Sequence, residues 1–98
     1  MNPLQMMKQA QQLQERMQQE MSTLRVEGAA GGGMVTVVVN GHKHLQSLKI
    51  DQESVSKEDV EMLQDLVMAA VNDALRKVDE ELKSKVGGIM SGLGLPGL

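Results

Sequence analysis

Lys8 and Arg16 near one end of the chain, and Lys77, Lys83 and Lys85 near the other, are the side chains whose chemistry carries furthest. Cations set at the ends of helices neutralise phosphates, and a glutamine such as Gln12 between them can donate a hydrogen bond to a phosphate oxygen. A plainer account competes with this one. Asp73 and Lys77, Asp79 and Lys83, and Glu81 and Lys85 are acid-before-base pairs four residues apart, a spacing at which helical ion pairs form, and cations near a helix C-terminus answer its dipole in any case. The acids cluster elsewhere: Asp51, Glu53, Glu58, Asp59, Glu61 and Asp65 stand against Lys57 alone. Acid in the middle and bases toward the ends fit a body with phosphate-seeking tips.

Other chemistries find less support. His42 and His44 sit two apart, yet no cysteine or carboxylate motif completes a metal site with them, so no metal is expected. The run Gly28-Ala29-Ala30-Gly31-Gly32-Gly33 lacks the Gly-Lys-Ser/Thr ending of a phosphate-binding loop and precedes a strand rather than a helix, which makes it a turn. Ser54, Ser56 and the histidines have no triad spacing, and Glu58-Asp59 and Glu80-Glu81 read as helix caps and solvated faces. No catalytic residue is assigned: the chain is read as a non-enzyme with no cofactor and no small-molecule substrate.

Composition sharpens the exclusions. The 98 residues hold no Phe, Tyr or Trp, but 9 Met and 10 Gly. Without rings to stack on, single-stranded nucleic acid is a poor ligand. A core of Met, Leu, Val and Ala in so short a chain leaves little margin for a lone subunit, so a second copy is expected. The 10 basic and 13 acidic side chains give a net charge of −3, which argues against a molecule coated in positive potential. Zero Cys excludes disulfides and thiolate chemistry. With no signal-peptide h-region and no apolar run of spanning length, no membrane is expected and the cytoplasm is the default.

The elements that must position these groups follow from periodicity. Asn2 before Pro3 suits a cap followed by proline at the first helical position, and Met6, Ala10, Leu13, Met17 and Leu24 recur at helical spacing, predicting a helix over 3–23 that projects from the body. Leu24, Val26 and Gly28 alternate with Arg25 and Glu27 as a first strand, ended by the glycine run. A second strand over 34–39 is nearly all β-branched. Asn40-Gly41 signals a two-residue hairpin returning as 42–50, which sets Val39 opposite His42, Val37 opposite His44, Val35 opposite Gln46 and Thr36 opposite Leu45. Both faces of the middle strand are then partly apolar, one for a helix and one for another copy. Ser56 with Asp59 resembles a capping box, and Leu63, Leu66, Val67, Ala70, Val71, Ala74, Leu75, Val78 and Leu82 predict the main packing helix. Its small residues Ala69, Ala70 and Ala74 would admit a close backbone. Gly87-Gly88 is read as its end, giving a domain over 1–88 and a flexible Gly/Leu/Pro tail over 89–98.

The segments Met6 to Gln14, Val26-Glu27-Gly28 with the glycine turn, Val37 to Gly41, Lys49-Ile50-Asp51 and Glu61 to Ala74 with the bases after it together resemble the YbaB/EbfC family of bacterial nucleoid-associated proteins. The resemblance covers essentially the whole chain. It implies an α+β fold, an α-β-β-β-α subunit with a three-stranded antiparallel sheet and two long helices, forming a tweezer-like homodimer that grips double-stranded DNA and helps organise the nucleoid and influence gene expression. On that reading Lys8, Gln12, Arg16, Lys77, Lys83 and Lys85 are the DNA-binding residues. The sequence begins almost at the first helix, without the short Gly/Lys-rich lead of many members, which points to modest affinity. The competing function is a protein-interaction module whose Met-studded helices hold a partner helix, with DNA binding incidental.

Overall fold

The computed structural model describes residues 2–55 and 58–92, with only the backbone described at 54 and 89–92. The order is α1 (Pro3–Thr23), β1 (Val26–Ala30), a 3-10 turn (Gly31–Gly33), β2 (Val35–Val39), β3 (Leu45–Ile50), a second 3-10 turn (Gln52–Ser54) and α2 (Val60–Gly92). The strands form one antiparallel sheet in the order β1-β2-β3. This is the α-β-β-β-α layout of an α+β subunit.

The core lies between β1, β2 and α2. Val35, Val37 and Val39 point to one side of the central strand and are essentially inaccessible, as are Ala70, Ala74 and Val78, which recur every four residues on α2. Alternation along β1 puts Val26, Gly28 and Ala30 on that same side, paired with Val39, Val37 and Val35. Gly28 fixes the spacing of the layers. A Cβ there would overlap the Ala70 carbonyl oxygen and lie 2.5 Å from the Ala74 nitrogen and 2.7 Å from the Ala74 Cβ, so the strand backbone rests directly on the helix. Ala70 and Ala74 thus serve the expected close approach; Ala69 is exposed.

Several expectations need correction. The first strand runs through Gly28 and Ala29 to Ala30, and only Gly31, Gly32 and Gly33 turn the chain, with φ of 65°, 67° and 97°. The hairpin is not a two-residue loop. The Lys43 N–H donates to the Asn40 carbonyl at 3.0 Å, Lys43 takes a φ of 65°, and the Asn40 N–H donates to the His44 carbonyl at 3.0 Å. This is a three-residue loop with its left-handed residue at Lys43, a turn that normally favours glycine there. A further irregularity between Val38 and Val39 sets Val39 opposite Leu45, Val38 opposite Ser47, Val37 opposite Leu48, Thr36 opposite Lys49 and Val35 opposite Ile50. Leu45 therefore shares the side of Val39 instead of facing Thr36. Finally, α2 passes through Gly87 and Gly88 to Gly92. Two glycines at about 1 kcal/mol each do not stop a helix already seven turns long. The Ser56 cap lies outside the described residues, as do residues 93–98.

α2 packs on β1 and β2, leaving β3 uncovered on the apolar side. Leu45 and Leu48 are exposed there, and Ile50, Val60, Leu63, Val67 and Met68 line an adjoining groove of about 480 Å³. α1 contributes no buried residue. The molecule extends 67 Å along its longest axis but only 16 Å along its shortest.

Candidate nucleic-acid interface

α1 forms as its first residues dictate. The Asn2 side chain accepts the Gln5 N–H at 2.8 Å, and Pro3 occupies the first turn, where its missing N–H costs nothing. Lys8, Gln12 and Arg16 recur every four residues and share one exposed face. At about 100° per residue that face lies well away from the seam of Met6, Ala10, Leu13 and Met17. The polar stripe and the apolar stripe of the arm are separate surfaces.

The root of α1 and the distal part of α2 lie at the same end of the sheet. Leu24 follows α1 and packs against the core, and Asp79 of α2 pairs with Lys43 of the β2–β3 turn at 2.8 Å. Beyond Leu82, which still packs on the core, α2 carries Lys83, exposed, and Lys85, half-buried.

The cations of the two helices divide into two sets. Asp73 holds Arg76 at 2.9 Å and Lys77 at 3.1 Å while accepting the Ala29 N–H of β1 at 3.1 Å; Arg76 also reaches Glu80 at 2.7 Å, and Lys77 donates to the Glu27 carbonyl at 3.3 Å. The Ala29 N–H, then Lys77 and Arg76, hold the Asp73 carboxyl at about 2, below its ordinary 3.8, and Asp73 and Glu80 raise Arg76 above its usual value. Lys77 is therefore committed to the body. Of the three expected helical ion pairs, Asp73 with Lys77 forms, whereas Asp79 turns to Lys43. Lys8, Arg16, Lys83 and Lys85 make no ion pair among the described residues. The sequence assigns no role to Lys43 or Arg76, and of the Asp73 hub it predicts only the pair with Lys77. The i+3 and i+4 spacing of Arg76 and Lys77 from Asp73 was the available signal, and nothing local marks Lys43 for Asp79.

The two helices thus extend from one end of the sheet, each carrying cations that make no ion pair among the described residues. The sequence matches the model of the YbaB/EbfC DNA-binding family over residues 1–93, and the chain belongs to that family. It is 52% identical to a nucleoid-associated protein of Syntrophobacter fumaroxidans over 97 residues, spanning 99% of this chain and 88% of that protein. A nucleoid-associated protein of Bacillus cereus is 56% identical over 80 residues, 82% of this chain and 73% of the relative. The fold is also similar to the crystal structure of an uncharacterized protein from Helicobacter pylori, with a TM-score of 0.74 and 27% identity, covering 92% of this chain and 98% of that one.

Proposed function

We propose that the protein binds double-stranded DNA as a homodimer, acting as a non-enzymatic organiser of the bacterial nucleoid in the cytoplasm and influencing gene expression there. The observation that carries this is a contrast between cations of the two helices among the described residues: Arg76 and Lys77 are held by Asp73 and Glu80, and Lys8, Arg16, Lys83 and Lys85 make no ion pair. With Gln12 they supply phosphate contacts, which position a protein on the duplex without themselves reading its sequence. Lys77 serves mainly to anchor α2 to β1 and contributes to the grip through its charge.

The dimer is argued from the uncovered apolar side of β3 and the groove beside it, more surface of this kind than a lone subunit of this size comfortably exposes. A folded monomer at micromolar concentration in sedimentation would defeat that part. Titration of duplex DNA at several salt concentrations tests the rest. With roughly four to six phosphates neutralised, the log-log slope is expected at about −4 to −5, and single-stranded DNA should bind less well for want of a ring to stack on.

One observation favours a second reading. Leu4, Met6, Met7 and Leu13 stand exposed on α1, an adaptable apolar surface of the kind that holds a partner helix. Salt separates the two, because an apolar contact does not weaken steeply with ionic strength.

A further inference from the structure

At the C-terminus of α1, as at any helix end, the last carbonyls lack partners within the helix. Glu20 accepts the Leu24 N–H, and Ser22 accepts the Arg25 guanidinium. The Met21 carbonyl is satisfied from elsewhere: the Gly41 N–H, twenty residues on in the β2–β3 turn, donates to it at 2.7 Å. Gly41 is buried and its φ is not positive, so its glycine character answers to space and not to backbone angle. A Cβ there would lie 2.7 Å from both the Cα and the carbonyl oxygen of Met21. Beside it His42 Nε2 meets Ser22 Oγ at 3.2 Å.

The turn is itself held rigid. Asn40, only 7% exposed, accepts the His42 and His44 N–H groups on its side-chain oxygen at 2.9 and 3.0 Å. Its other flank is tied to α2 by Lys43 and Asp79, one helical turn before Lys83. One turn therefore touches the root of one basic helix and the stem of the other, and α1 has no buried residue of its own to fix its direction.

We infer that the β2–β3 turn is the joint that sets the direction of α1 relative to α2, with Gly41 as the positioning residue for the DNA grip. This rests on the DNA-binding reading above. Replacing Gly41 by Ala forces the α1 backbone back from 2.7 Å to an ordinary contact beyond 3.4 Å. At the far end of a helix about 30 Å long, a tilt about so close a root becomes a displacement of several ångström.

The absence of native cysteine allows a direct measurement. Spin labels at Gln11→Cys and Glu81→Cys, both exposed, report the distance between the helices in full-length protein diluted with unlabelled copies. In Gly41→Ala the distance is expected to shift by several ångström, the duplex affinity to fall about tenfold, and the salt slope to flatten because fewer phosphates are met at once. A slope measured on folded protein does not move for a merely weakened fold. An unmoved distance overturns the joint, as does a shifted distance with affinity and slope unchanged. If unsubstituted protein fails to bind duplex DNA, the DNA reading falls by itself, and the role in gripping falls with it, before any variant is made. Should Gly41→Ala fail to fold, His42→Ala takes its place: the distance distribution must broaden and the affinity drop, and a parental distribution overturns the proposal.

Discussion

The body and the α1 arm use apolar residues in opposite ways. In the body, small side chains are spent on closeness: Gly28 lies against Ala70 and Ala74, and valines complete a layer that excludes water. On the arm, larger side chains such as Met6, Met7 and Leu13 stay exposed, and helix formation rests on the Asn2 cap and on its own backbone bonds. The same division runs through the charges. Lys43, Arg76 and Lys77 are committed to Asp79, Asp73 and Glu80, while among the described residues Lys8 and Arg16 of the arm and Lys83 and Lys85 near the end of α2 make no ion pair. Stability and recognition are thereby assigned to different residues, which means that each can be altered alone.

The hardest test of that division is Gly28→Val. Its side chain must enter backbone of α2, where nothing can rotate away, so the cost exceeds the roughly 1–3 kcal/mol of ordinary overpacking and the cooperative thermal transition should be lost. A melt within a few degrees of the parent would show that the layers can separate freely. Next in size is a paired comparison. Lys83→Gln with Lys85→Gln should weaken duplex binding about tenfold and flatten the salt slope by about 2, leaving the melting temperature unchanged. Lys77→Gln should do the reverse, lowering stability with little change in slope. If both substitutions act alike on DNA, the two classes of cation are one.

How much of this was readable beforehand varied with the range of the interaction. The Asn2-Pro3 start and the α2 stripe are local and emerged from spacing alone. The hairpin register did not, because Asn40-Gly41 signals a two-residue loop, whereas Gly41 answers to Met21 and the left-handed position of a three-residue loop falls on Lys43. Likewise the four-residue spacing of Asp79 and Lys83 is real, but Lys43 reaches Asp79 across the turn, a partner that only the folded chain provides. The basic residues of the candidate site were legible as types; which of them are free was not.

A smaller effect separates the regions by pH. Asp73 is held at about 2 against an ordinary 3.8, chiefly by the Ala29 N–H, then Lys77 and Arg76. A depressed carboxyl stabilises the fold fully above its unfolded value, so this contribution persists from neutrality down to about pH 4 and fades as pH falls toward 2. The group is partly exposed, which keeps the effect modest. Asp73→Asn should narrow its stability deficit relative to the parent across that window, seen in denaturant titrations at pH 7 and pH 2.5. A deficit constant across the range would mean that the ionic part of the hub does nothing.

The smallest effect is expected at Asn2. Its side chain satisfies one N–H of the first turn of α1, and loss of such a cap typically costs about 1 kcal/mol of helix. In a packed helix that cost would enter the stability of the whole protein. Here α1 buries nothing, so its first turn can fray while the sheet and α2 remain as they were. Asn2→Ala should therefore leave the global melting temperature within about a degree and raise amide exchange over residues 4–8 by roughly fivefold, the factor that about 1 kcal/mol gives. Lys8 lies at the edge of that segment, so duplex affinity should fall by no more than about twofold. If Asn2→Ala instead lowers the melting temperature in proportion to the lost cap, the arm and body unfold as one unit, and α1 is coupled to the core more tightly than its exposure implies.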